Sequence, residues 1–148
     1  MKFGIIGAGM IANFHAEAIK AMAGGELHSF YGRRQDAVAE LVAAHGGKGY
    51  TDLDEFLADP DLDIDTIATP SGAHLEPALA AAKAGKHIIC EKPLEVTPER
   101  IDLMISACED AGVTLSGIFN RRFHPAMDAF KKAVDDGRFG TLTMCDAY

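Results

Sequence analysis

A chain of 148 residues, 48% of them hydrophobic, can build one domain with a real core and is too short for two complete ones. Its 14 Lys and Arg stand against 22 Asp and Glu, a net charge of −8 that repels nucleic-acid phosphates and anionic membranes, so neither is an expected partner. The three cysteines, Cys90, Cys108 and Cys145, lack C-x-x-C spacing, which argues against a disulfide framework and a zinc site; no metal is expected, and a reducing cytoplasm is. The chain starts on strand-like residues with no basic leader or cleavage site, and its apolar runs break well before the roughly 18 residues that would suggest a membrane span.

Residues 2–7 form a short apolar run ending in glycine, and Met10, Phe14, Ala18 and Met22 then recur at i, i+4: a strand, a tight turn and a helix. A second strand is predicted over residues 26–31, and a helix from Gln35 carries Val38, Leu41 and Val42 on one face and stops at Gly46-Gly47. Tyr50 ends a short third strand. Thr51 or Asp52 can cap a small helix holding Leu53, Phe56 and Leu57, which Asp59-Pro60 breaks. Residues 64–68 read as the fourth strand, and the helix predicted over 74–84, with Leu75, Ala78, Leu79 and Ala82 inward, stops at Gly85. A fifth strand is placed at 87–90. Thr97 followed by Pro98 opens a helix with Ile101, Met104, Ile105 and Cys108 on one face, and a sixth strand covers 113–118. Strands alternating with helices require a parallel sheet with right-handed crossovers, and six of them match the doubly wound α/β dinucleotide fold. Beyond it, residues 125–136 form a helix with Met127, Phe130, Ala133 and Val134 inward, and 142–148 look like a strand opening a second unit. The expected division is 1–120 and 121–148, the latter being the start of an α+β domain in a fragment of a longer protein.

Gly7-Ala8-Gly9-Met10-Ile11-Ala12 fits G-x-G-x-x-A at the first strand-to-helix turn. The first glycine makes the turn, the second admits the pyrophosphate, and the final small residue lets helix and strand pack, while the helix start offers free N–H groups to phosphate. Gly7, Gly9, Met10 and Ile11 are therefore candidate cofactor residues. The second strand ends in Phe30-Tyr31-Gly32-Arg33-Arg34, roughly 20 residues beyond the turn, where NAD-specific folds place an acid for the ribose. Here Gly32 is read as leaving room for a 2′-phosphate and Arg33 or Arg34 as gripping it, which favours NADP over NAD; the competing reading is two solvated arginines at a helix entrance. Thr69, Pro70 and His74 follow the fourth strand at the ligand-binding edge, though turn and cap roles explain them equally well. Glu91-Lys92-Pro93 follows the fifth strand at the same edge. It reads either as a surface turn or as a catalytic Lys92 whose ammonium orients a substrate hydroxyl and stabilises developing alkoxide character.

These landmarks in order, together with Asp61-Leu62-Asp63-Ile64-Asp65, Ala84-Gly85-Lys86-His87 and Arg122-Phe123-His124-Pro125, resemble the Gfo/Idh/MocA family of glucose-fructose oxidoreductases, inositol dehydrogenases and rhizopine catabolism proteins. The resemblance implies an NAD(P)-dependent dehydrogenase or reductase acting on a sugar, cyclitol or related polyol, with Lys92 in the active site. It also implies a sheet-rich second domain that carries the catalytic histidine and its acidic companion beyond Tyr148, and homo-oligomers of the complete protein. Two alternatives stay open: an NAD-dependent glycoside hydrolase of similar fold, and a nucleotide-sensing regulator without turnover. None of the six histidines is promoted to a catalytic role: His15, His28, His45 and His87 read as packing or surface groups, and Cys90 as an inert core thiol.

Overall fold

The computed structural model describes residues 1–146. The chain divides into two compact units, Met1–Ile118 and Phe119–Tyr148. The first alternates β1 (Lys2–Ile6), α1 (Met10–Ala21), β2 (Glu26–Tyr31), α2 (Gln35–His45), β3 (Lys48–Tyr50), α3 (Leu53–Leu57), β4 (Ile64–Ile67), α4 (Leu75–Lys83), β5 (His87–Cys90), α5 (Pro98–Ala111) and β6 (Leu115–Gly117). All strand pairs are parallel, and the sheet runs β3-β2-β1-β4-β5-β6. The strand order reverses between β1 and β4, which places a crevice outside their carboxyl ends.

Because side chains alternate along a strand, neighbours in β1 serve opposite layers. Ile5 packs with Ala12, Ala16, Ile19, Phe30 and Leu41 under α1 and α2. Ile6 packs with Phe56, Ile67, Leu75, Ala78, Ile88 and Met104 under α3, α4 and α5. The caps follow the chemistry read from the sequence: Asp52 accepts from the Glu55 amide at 2.9 Å, Thr97 from the Arg100 amide at 3.4 Å ahead of Pro98, and Gly112 ends α5 at φ 67°.

The large apolar residues Met10 and Phe14 of α1 face outward. The stripe Met10, Phe14, Ala18 and Met22 is exposed, and α1 instead buries Ala12, His15, Ala16 and Ile19. A helix lying close on a sheet needs small residues at the contact, so alanines take the sheet-facing side. Ile105, expected inward, is likewise exposed, because α5 packs chiefly through Met104 and Cys108.

The second unit carries a 3₁₀ turn at Asn120–Phe123 and α6 (Pro125–Asp135). Ala133 is buried and Val134 half-buried, whereas Met127 and Phe130, both expected inward, are exposed; Phe130 meets the Phe139 ring at 5.8 Å. So short a segment cannot cover every apolar residue of its own helix. Residues 142–146, expected to begin a strand, form none, since a strand is defined by a bonded neighbour and the described residues of this unit offer none. The rest of that expectation, 147–148, lies outside the described residues.

Candidate functional site

The glycine turn assigns a different task to each glycine. Gly7 has φ +120°, its amide donates to the Tyr31 carbonyl at 2.8 Å, and a Cβ there would lie 2.7 Å from the Ala68 carbonyl oxygen. It is glycine because the chain leaving β4 passes against it. Gly9 has ordinary extended dihedrals, and a Cβ on it would meet nothing within 4 Å. It faces open space as the N-cap of α1, with no side-chain cap and no acid in the first turn. The unsatisfied N–H groups and the positive end of the helix are thus left for a ligand anion. Ala12, the last position of the motif, is fully buried where α1 rests on the sheet.

A cavity of about 720 Å³ opens at this edge. Gly7, Gly9, Met10 and Ile11 line it from the turn, Arg33 and Arg34 from the end of β2, and Thr69 and Pro70 from the exit of β4. The structure therefore gathers these eight sequence-derived candidates around one space. Arg34 is the N-cap residue of α2 and lies 3.6 Å from Asp36, both side chains well exposed, so the pair holds it weakly. Gly32 lines the cavity as well, and a Cβ there would come within 2.7 Å of the Ala8 Cβ and 3.0 Å of Val38, so its bareness also lets the glycine turn pack on β2.

His74, Glu91 and Lys92 are not on the cavity wall. His74 is 1% exposed; its ring reaches the carbonyls of Pro93 and Leu94 through Nδ1 (3.0 and 3.1 Å) and that of Thr69 through Nε2 (2.9 Å), tying the turn after β4 to the turn after β5. The Thr69 hydroxyl donates to Ala73 O at 2.8 Å within the first of these turns. In the second, the Lys92–Pro93 peptide is cis and the Lys92 amide donates to Glu91 Oε2 at 3.0 Å. Lys92 is exposed, and among the described residues its ammonium has no hydrogen-bond or ion-pair partner. Beyond it the buried Glu95 accepts from Arg100 Nε at 2.7 Å, a charge-assisted brace between this turn and α5. Cys90 is fully buried, and burial pushes its thiol up to about 12, as an inert core cysteine requires.

His15, a packing or surface group by its sequence, proves to be a packing group. It lies on the buried face of α1, with Nδ1 2.8 Å from Thr66 Oγ1 and Nε2 3.2 Å from Glu91 Oε1. The signal was present in the spacing Ala12, His15, Ala16, Ile19, which is the sheet-facing stripe once small residues are weighted above large ones. At the opposite edge of the sheet, Asp59 Oδ2 accepts from Lys48 Nζ, His28 Nε2 and Tyr50 Oη at 2.8, 2.9 and 2.8 Å. His28, Asp59 and Asp61 stand close enough to share an ion, but the Lys48 ammonium already neutralises the shared carboxylate. That cluster braces β2, β3 and the turn into β4. His124, in the second unit, caps α6 by accepting from the Ala126 amide at 3.3 Å.

Residues 1–119 match the family described as "Oxidoreductase family, NAD-binding Rossmann fold", GFO_IDH_MocA. Myo-inositol 2-dehydrogenase of Thermotoga maritima is 36% identical over 141 residues, which is 95% of this chain and 42% of that protein. Inositol 2-dehydrogenase of Rhizobium meliloti is 36% identical, with 97% of this chain and 43% of the relative aligned. The WlbA dehydrogenase of Bordetella pertussis, solved with NADH and UDP-GlcNAcA, superimposes with a TM-score of 0.90 at 34% identity, covering 94% of this chain and 43% of its own. The chain thus spans about two-fifths of the length of the relatives it matches. Among the described residues no helix is long and apolar enough to cross a membrane.

Proposed function

The chain belongs to the GFO_IDH_MocA oxidoreductase family with its NAD-binding Rossmann fold, and from that premise we propose that it is the cofactor-binding part of an NAD(P)-dependent dehydrogenase or reductase acting on a sugar, cyclitol or related polyol. The observation that carries this reading is the open space at Gly9, beside the uncapped start of α1 and within the 720 Å³ cavity. When bound, the nicotinamide cofactor supplies the hydride acceptor or donor. The amides at the start of α1 hold its pyrophosphate, and the turn of Thr69 and Pro70 walls the cavity on the β4 side. Lys92 is the catalytic residue of this chain: its free ammonium orients the substrate hydroxyl and stabilises negative charge on that oxygen as hydride leaves. The relatives are more than twice as long as this chain, and the rest of the acid-base machinery, most of the substrate pocket and the homo-oligomer contacts are assigned to a further domain of the whole protein. Three free cysteines, two of them buried, suit a reducing cytoplasm.

NADP is the preferred cofactor, because β2 ends in Tyr31 with no acid to meet a 2′-hydroxyl, and Arg33 and Arg34 line the cavity where a 2′-phosphate would sit. A charge-assisted hydrogen bond of about 1.5–3 kcal/mol makes NADP bind roughly tenfold to a hundredfold more tightly than NAD. Calorimetric titration of both cofactors checks this. The double variant Arg33→Ala, Arg34→Ala abolishes the difference, and equal affinities in the unsubstituted chain would remove the NADP assignment while leaving dinucleotide binding in place. Neither cofactor binding would remove the whole reading.

A further inference from the structure

We propose that His15 is a positioning residue for Lys92, acting through Glu91; the proposal rests on the role given to Lys92 above. A lysine on a four-carbon stem is aimed only as well as its backbone is held, since ordering so flexible a side chain is entropically costly and nothing among the described residues holds the Lys92 ammonium itself. What is held is the residue before it. Glu91 Oε2 accepts the Lys92 amide at 3.0 Å, and Glu91 Oε1 lies 3.2 Å from His15 Nε2. A carboxylate gripped at both oxygens has a fixed plane, and that plane fixes the peptide entering Lys92.

The imidazole is itself anchored. Its side chain is 10% exposed, and Nδ1 lies 2.8 Å from Thr66 Oγ1 on β4. A carboxylate only accepts, so Nε2 is the donor to Glu91, and the Thr66 hydroxyl satisfies Nδ1. The path Thr66–His15–Glu91–Lys92 amide therefore joins β4, α1 and the exit of β5 without leaving a polar atom unmatched. On the far side of the same turn, His74 holds the Pro93 and Leu94 carbonyls. The turn is gripped at both ends by buried rings, and Lys92 projects from between them. His15 also lies one helical turn beyond the glycine motif, on the helix whose start faces the cavity, so the element that receives the pyrophosphate also registers the lysine.

The test uses the 148-residue chain with NADP, by NMR. The unsubstituted chain shows a nuclear Overhauser contact between the Lys92 Cε protons and the nicotinamide ring, and a protected Lys92 amide. In His15→Ala the Lys92 amide exchanges at least about tenfold faster and the Overhauser contact is lost, while the Ile19 amide and the NADP dissociation constant stay within a few-fold. His15→Gln restores both signals, because its amide nitrogen can donate where Nε2 did. Should His15→Ala fail to fold, Thr66→Val, which removes only the anchoring hydroxyl, gives the same loss in weaker form. A contact that survives in the folded variants, or His15→Gln as defective as His15→Ala, overturns the positioning role alone. Absence of the Lys92–nicotinamide contact in the unsubstituted chain overturns the reading of Lys92 and this proposal with it.

Discussion

Asp65→Asn raises the unfolding midpoint of the chain at pH 8 and leaves it nearly unchanged at pH 4. Asp65 sits on the central strand β4 with no exposed surface, and neither carboxylate oxygen has a hydrogen-bond partner among the described residues. Burial pushes its carboxyl up to about 7, against a smaller opposing pull from the Lys86 ammonium. The folded chain therefore keeps a proton there that the unfolded chain releases near pH 4. Stability from this group is complete below that pH and falls as pH rises toward about 7, where the loss levels off at about 4 kcal/mol. Asparagine has the shape of the protonated acid and cannot ionise, so the variant escapes the loss. Asp59 works in the opposite sense: the Lys48 ammonium, with His28 and Tyr50, holds its carboxyl well below the usual range, so its contribution is present above about pH 4 and disappears in acid. Urea titrations from pH 4 to pH 8 check the prediction, and an Asp65→Asn chain that gains nothing at pH 8 would show that Asp65 is ionised and paired after all.

Gly7→Ala and Gly9→Thr separate folding from binding within one motif. At Gly7 the positive φ and the 2.7 Å approach of the Ala68 carbonyl leave no place for a methyl group, so Gly7→Ala costs about 2–4 kcal/mol of stability. At Gly9 the backbone is extended and the Cβ position open, and threonine is about as good an N-cap as glycine. Gly9→Thr keeps the unfolding midpoint within about 2 °C yet fills the space proposed for the pyrophosphate. With two charge-assisted hydrogen bonds lost, cofactor affinity falls by about 100-fold or more. Thermal melts beside calorimetry read both effects. A Gly9→Thr chain that binds NADP normally places the pyrophosphate elsewhere.

Much of the fold was legible because its signals are local. Capping residues, Pro98, the stop glycines and the alternation of strand with helix each act within a few positions, so all six strands were found. The ends of β2 and β5 match the expected 26–31 and 87–90, whereas β6 is three residues long rather than six, because its register with β5 pairs only Leu115, Ser116 and Gly117. The i, i+4 recurrence of Met10 and Phe14 marks α1 as a helix but not its buried face, since close packing on a sheet ranks alanine above large side chains. The site divided along the same line. Residues on the glycine turn and the strand exits could be named from order alone. His15, Thr66 and Glu91 lie far apart in sequence, and only the sheet order β1-β4-β5 brings them within hydrogen-bonding distance.

Dinucleotide binding at the carboxyl edge of the sheet, between the glycine turn, the end of β2 and the exit of β4, is open to direct observation. Amide chemical-shift mapping of the labelled chain during NADP titration tests it most directly. Saturable shifts are expected at Gly7, Gly9, Met10, Ile11, Arg33, Arg34 and Thr69, with His28, Lys48 and Asp61 at the opposite edge unmoved. Shifts gathered around His28, Lys48 and Asp61, or no saturable shift at any residue, would contradict it.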